Sequence, residues 1–468
     1  MTIAEELASF VVRASYDDLS EQAKLQLKIR ILDSFGCALG ALEGEPLRLL
    51  RDYLQDCSDA GHCTLIGGGR AAPDRAAFYN GALIRYLDFN DSYLAEGETC
   101  HPSDNLSAVL AAAEYGDANG KDLLTALAVS YQVHCRLSDV APVRARGFDH
   151  TTQGSYAVAA GVSRALGLNE QQTANALAIS GTAFNALRLT RTGALSHWKG
   201  LAYPNTAFGC THAAFLAKHG ITGPAEVFEG TKGFMDTIAG RFDLDWARED
   251  LERVTHTIIK KYNAEIHSQS ALEALLELKK QHAFSAPEVD HIGIDIFAVA
   301  YHIIGGGEEG DKTVVHTKEE ADHSLPYMAA VALLDDQVMP EQYRKERTQR
   351  RDVQDLLRKI RVQPNTDFTK RFPREMPCRI QVSLQDGRIL TGEKHDYEGF
   401  STRPLSWENA IQKFGALSGP YVEEPLRTIL IEAVHNLEAI STRDLTNLLN
   451  RIQNRMSCEG HHLGQPAY

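Results

Sequence analysis

Among the eight cysteines of this 468-residue chain, no two stand at Cys-x-x-Cys spacing. That removes the usual signatures of a zinc site, an iron–sulfur cluster or a dithiol redox centre. Most of the cysteines sit inside apolar helical stretches, where they read as small buried hydrophobes in a reducing compartment. Cations are in the minority, with 48 Lys and Arg against 62 Asp and Glu and a formal net charge of −14. Nucleic acid is therefore a poor partner, because phosphate neutralisation needs clustered Lys and Arg. A small anionic substrate stays open, since it responds to the local field of a cleft. No apolar run approaches the roughly 20 residues that cross a bilayer, so no membrane partner is expected. The start, Met1-Thr-Ile-Ala-Glu-Glu-Leu, has no cationic n-region, h-region or Arg-rich transit pattern, and the expectation is a cytoplasmic protein. Gly-x-Ser-x-Gly, Walker A and dinucleotide fingerprints are missing too. Gly67-Gly-Gly-Arg and Gly305-Gly-Gly-Glu lack the flanking elements of a phosphate cradle. No His-x-x-x-His or His-Glu-x-x-His spacing occurs, so no metal and no cofactor is expected.

What is present is a chain of 43% hydrophobic and 24% charged residues, the composition of a folded globular protein. Its length exceeds the size at which one core keeps growing, which favours two domains. The first part reads as successive helices over 2–14, 21–43, 45–57, 73–88, 105–116, 121–139, 153–167, 170–186 and 205–219, with apolar residues at helical spacing. The texture then changes. Residues 289–300 alternate and are rich in β-branched side chains, and 379–384 and 389–394 flank Asp386-Gly387 as a hairpin would. Helical patterns at 268–282, 324–335 and 351–360 surround these strands, and 407–416, 422–436 and 442–452 return to pure helix. The expected fold class is mainly α with α+β. The expected boundaries are 1–255, a smaller α+β domain over 256–404, a helical return over 405–456, and a frayed tail over 457–468.

Arg85–Asn105 is the most informative stretch. Between two helical patterns, where a short connector would suffice, it carries Asp88, Asp91, Ser92, Tyr93 and His101, side chains that move protons. A capped junction led by Ser103 or Asp104 explains it equally. Three further clusters break apolar regions. Arg146–Gly154 sets His150 before a helix, where a histidine tends to be held neutral, or is a surface turn capped by Asp149 or Thr151. Arg188–Ala202 holds Arg188, Arg191, His197 and Lys199, a carboxylate-binding set or a solvated basic loop. Lys260–Ser270 brings Lys260 and His267 to a helix start at the change of texture, or is a linker capped by Ser268. In Asp322–Tyr327, Ser324 reads as a cap and His323 as exposed.

Taken in order, Leu87-Asp-Phe-Asn-Asp with His101-Pro-Ser-Asp-Asn, Asp149-His-Thr-Thr, Trp198-Lys-Gly, Glu265-Ile-His-Ser-Gln and Asp322-His-Ser-Leu-Pro-Tyr-Met resemble the MmgE/PrpD family, which includes 2-methylcitrate dehydratase and cis-aconitate decarboxylase. The similarity runs to about residue 440. It implies a large all-helical domain built from both chain ends, a smaller α+β lid domain, a homodimer, and work on tricarboxylates or similar acids without an iron–sulfur cluster. Carried onto this sequence, the pocket residues are Asp88, Ser92, His101, His150, Lys199, Lys260, His267 and Tyr327, with Asp91 as a second carboxylate and Arg191 as a helper. The segment Ala264–Ser270 and the His101–Asn105 loop are closer to the dehydratase branch.

The implied reaction removes a proton from carbon beside a carboxylate and expels hydroxide. Lys199 and Lys260 would neutralise carboxylate charge, His101 and His150 would share the acid and base roles, and Asp88 would orient a histidine. Ser92, Arg191, His267 and Tyr327 would bind substrate. The same pocket could instead decarboxylate a cis-aconitate-type acid, or isomerise or epimerise a related diacid. A helical scaffold protein is the reading from another class, and it requires that these polar clusters do not meet.

Overall fold

In the computed structural model, residues 1–57, 61–192, 196–308 and 310–452 are described. The fold is α-rich with some α+β. Two compact units form: Met1–Thr257 together with the chain from Ser406 onward, and Ile258–Leu405. The expected tail, 457–468, lies outside the described residues, as does Cys458.

The first unit is a stack of helices whose buried faces are rich in Ala, Gly and Ser. Gly120–Val140 packs on Thr151–Ala165, Pro73–Tyr86 packs on Trp198–Lys218, and Glu21–Gly40 receives the returning helix Trp407–Ser418. Small residues permit this closeness. A methyl group at Gly161 would lie 1.8 Å from Ser130 Oγ and 2.8 Å from Val109 Cγ2, so any side chain there forces two helices apart. Helix starts follow local chemistry: Thr2, Ser20, Asn119, Asn169 and Ser441 each accept a backbone N–H of the first turn.

Three elements differ from the sequence expectation. The connector after Pro73–Tyr86 is not an open loop: Asp91–Ala95 and Glu98–Cys100 form a small antiparallel hairpin, followed by the turn Pro102–Asn105. The helix expected to start at 205 begins at Trp198 and carries Pro204 inside it. The helix expected over 351–360 stops at Leu357, and Ile360 opens a strand that runs to Pro364.

The second unit centres on a four-stranded sheet in the order Ile360–Pro364, Val289–Ile296, Cys378–Leu384, Ile389–Lys394. The first pair is parallel and the other two antiparallel. Gly387, at φ 90°, makes the turn that the Asp-Gly pair signals. Gln269–His282 packs against this sheet and against Leu325–Asp335, whose start Ser324 caps.

The C-terminal return is fastened through one buried cation. Lys413 Nζ lies 2.6 Å from Asp33 and donates to the Phe89 carbonyl at 2.7 Å. It also sits 3.8 Å from the Phe89 ring centroid. One ammonium thus ties a helix of the returning segment to an early helix and to the residue after Asp88. Lys413→Met would strand a buried carboxylate and is expected to cost about 3–5 kcal/mol of unfolding free energy, measured by urea denaturation; a loss under about 1 kcal/mol would contradict this tie.

Candidate active site

The Arg85–Asn105 segment is buried along most of its length. Arg85, 3% exposed, donates from Nη1 to Asp88 Oδ1 at 2.7 Å and to Asn90 Oδ1 at 3.2 Å. Its Nε lies 3.5 Å from Asp104 Oδ2. Asn90 in turn donates to Ser103 Oγ at 2.9 Å and Asp104 Oδ1 at 2.8 Å. Asp91 accepts the Ser103 N–H at 3.0 Å and the Tyr131 hydroxyl at 2.8 Å, one on each carboxylate oxygen. The result is a rigid frame for His101.

His101 Nδ1 is 2.8 Å from the Asp91 carbonyl oxygen, an atom that only accepts, so the ring proton is on Nδ1. Ser92 Oγ lies 3.2 Å from the same nitrogen. In the neutral ring the lone pair is then on Nε2, the arrangement a general base needs. The triad-like role expected of Asp88 falls to this main-chain carbonyl. Asp88 itself, at φ 51°, is held by Arg85, and its other oxygen lies 3.9 Å from Lys199 Nζ. Asp91 braces the hairpin through both oxygens. Ser92 supports His101.

The His150 ring centroid is 5.4 Å from that of His101. His150 also stacks on His134 at 6.0 Å and on Tyr203 at 5.7 Å. Gly154 permits the Tyr203 approach, because a methyl group there would lie 2.6 Å from the phenol ring. Tyr203 donates to Asn105 Oδ1 at 2.9 Å, closing the cluster on the first segment. Beside it, Asp149 accepts from Arg191 Nε at 2.5 Å and from the Thr151 N–H at 3.2 Å. Burial opposes charge on Asp149, but Arg191 and Arg188 hold its carboxyl well below the usual range. For His150, burial dominates and pushes the imidazole well below its ordinary value; Asp149 opposes this, and Arg191, His134 and Arg85 add to it. The stretch that carries Arg191 also walls a cavity of about 700 Å³, lined by Phe184, Asn185, Thr190, Trp198 and Asn205 among others, within the range of small-ligand sites. Gly193, Ala194 and Leu195 of this stretch lie outside the described residues.

In the second unit, Lys260 and His267 are buried. Glu265 accepts from the His267 backbone N–H at 2.8 Å, and its other oxygen meets His267 Nδ1 at 2.7 Å. Burial opposes ionisation of Glu265, yet His267, His323 and Lys260 keep its carboxyl below the usual range. This turn is capped by Glu265, whereas Ser268 makes no side-chain cap. Tyr327 departs from its expected substrate-binding role: its hydroxyl donates to the Gln342 carbonyl and its ring packs near Tyr343 inside the core.

Arg85, Asn90, Asp104, His134, Asp149, Tyr203 and Glu265 build these clusters although none was singled out as a site residue. Asp149 and Glu265 lie within the quoted motifs and Arg85 opens its stretch, so adjacency was their signal. His134 sits alone in an apolar helix and gave none. Among the described residues, no group of three His, Cys, Asp or Glu side chains is placed to hold a metal ion. No described helix is long and apolar enough to cross a membrane.

Asp104 supplies a pH test. Burial raises its carboxyl to about 7; Arg85 opposes this and Asp91 adds to it. Its folded value thus exceeds the unfolded value of about 3.9, so the folded state holds more protons in between and stability falls as pH rises from about 4 to 7. Asp104→Asn is expected to flatten that part of the denaturation curve; an unchanged slope would contradict the assignment.

The chain is 25% identical to cis-aconitate decarboxylase of Mus musculus, over 96% of this chain and 93% of that protein. It is 26% identical to the mitochondrial 2-methylcitrate dehydratase of Yarrowia lipolytica, over 95% and 88%. With 2-methylcitrate dehydratase of Escherichia coli the identity is 28%, over 76% and 77%. Profiles of the MmgE/PrpD N-terminal and C-terminal domains match residues 5–247 and 262–439, and the chain therefore belongs to the MmgE/PrpD family.

Proposed function

We propose that this protein is a hydro-lyase that converts a 2-methylcitrate-like or citrate-like hydroxy acid to an aconitate-type product by His/Lys acid–base catalysis without a metal. The observation that carries the reading is the pairing of His101, bonded through Nδ1 to a main-chain carbonyl, with the buried His150, in the same unit as the Asp88–Lys199 pair. Abstracting a proton from carbon beside a carboxylate needs a neutral base and a fixed cation for the growing enolate charge. His101 Nε2 takes the proton and the carbon–oxygen bond breaks. The imidazolium returns that proton to the departing hydroxide, so the products are water and the unsaturated acid. Lys199 draws the substrate carboxylate, and Arg85 supports it by holding Asp88.

Lys260 and His267 form a buried cluster of their own in the second unit, with Glu265. Tyr327 is left out of the proposal because its hydroxyl is already bonded. Decarboxylation is the second reading, favoured by the alignment with a decarboxylase along nearly the whole chain; there carbon dioxide leaves and the proton is delivered to carbon. The family likeness also supports a homodimer, which sedimentation tests.

The test is ultraviolet absorbance of the unsaturated product, with chelator present, for wild type, His101→Asn and Lys199→Met. Wild type is expected to turn over and His101→Asn to lose about 10²–10⁴-fold in kcat, with its helical circular dichroism kept. Near-normal rates in both variants would contradict the assignment.

A further inference from the structure

His150 has an unusual partner. Where a catalytic imidazole commonly donates to a carboxylate, here it accepts from a cation: Arg191 Nη2 lies 3.0 Å from Nε2. A guanidinium has donors only and cannot lose its proton, so the contact forms only with a lone pair on Nε2. Asp149 fixes the guanidinium, taking Nε at 2.5 Å and Nη2 at 3.4 Å. Asp149 is fully buried and Arg191 largely so. The nearer Asp149 oxygen is 3.7 Å from Nε2, beyond hydrogen-bond reach. The ring proton must then sit on Nδ1. That atom is buried and has no hydrogen-bond partner among the described residues, an arrangement that costs free energy unless a ligand completes it.

We infer that Arg191, anchored by Asp149, is a positioning residue that fixes His150 as a neutral Nδ1–H donor, presented to an oxygen of the bound acid. His150 is then the hydrogen-bond donor of the site, and the proton shuttle is His101 alone. Burial disfavours an imidazolium, as do Arg191, the His134 ring and Arg85, while Asp149 favours it and is itself paired with Arg191 and Arg188. His101 and Tyr203 complete the ring's surroundings without supplying a fixed charge. A neutral donor suits an oxygen whose negative charge grows during reaction, because it strengthens there without binding the ground state as tightly as a cation would. The inference rests on the reading of this cluster as the reaction site, and it replaces the expectation that Arg191 binds substrate directly.

The experiment is nitrogen-15 NMR of the whole chain labelled at histidine, without substrate, with His150→Gln to assign the signals. Wild-type His150 is expected to show an unprotonated Nε2 and a protonated Nδ1 from about pH 6 to 9, with no titration. Arg191→Met should make the ring titrate, since removing the cation leaves Asp149 to favour the imidazolium. In the same variant kcat should fall about 10²–10³-fold with KM within about twofold. A proton on Nε2, or a wild-type ring that titrates in that range, overturns the inference, and this curve decides even if the variant is unstable. A folded Arg191→Met protein whose His150 signals match wild type overturns it too. Because no substrate is present, failure to find lyase activity would leave the NMR result standing and count against the functional reading alone.

Discussion

A guanidinium buried in a protein interior must be surrounded by carboxylates and carbonyl oxygens, and the burial of Arg85 imposes that requirement on everything around it. Asp88, Asn90 and Asp104 converge on it from three points of one segment. To deliver them, the chain has to turn back on itself, which is why a hairpin stands where a connector would suffice. The same fold-back brings the Asp91 carbonyl to His101 and the Asp91 carboxylate to Ser103. Lys413 holds the segment from outside through the Phe89 carbonyl. The geometry of His101 therefore follows from satisfying buried charge, and the returning C-terminal helix is part of that solution.

Two histidines five to six ångströms apart by ring centroid share one tautomer but are held at different ring nitrogens, because their partners differ. A carbonyl oxygen fixes the proton of His101 on Nδ1, while a guanidinium fixes the lone pair of His150 on Nε2. Neighbouring titratable groups whose surroundings push them apart are the general basis for dividing base and donor roles within one site. The stack of His134, His150 and Tyr203, with Gly154 leaving room for the phenol, keeps the second ring from turning away.

The long helices were legible because their apolar stripes are long. Residues 21–43 read as helix and Glu21–Gly40 is one; Asn169 was expected to cap its helix and does. The hairpin at Asp91–Cys100 was not legible, because both faces of its first strand are buried and no alternation survives. The helix at Trp198 was placed late since Pro204 looks like a boundary, while tertiary packing tolerates it inside. At the site, the motifs disclosed His101, His150, Asp88, Lys199 and Arg191 as residue types, but not which atom faces which. That Asp88 pairs with Arg85, that Tyr327 is bonded within a core, and that Arg191 serves a histidine are facts of three-dimensional placement. No spacing in the sequence encodes them.

The central claim is that this cluster moves a proton to or from carbon beside a carboxylate, with His101 as the carrier. The most direct measurement is proton NMR of cis-aconitate incubated with the protein in deuterium oxide. The account predicts a product bearing one carbon-bound deuterium, formed by wild type and lost in His101→Asn; whether that product is a hydroxy acid or a decarboxylated acid separates the two lyase readings. Deuterium delivered equally well by His101→Asn would contradict the account.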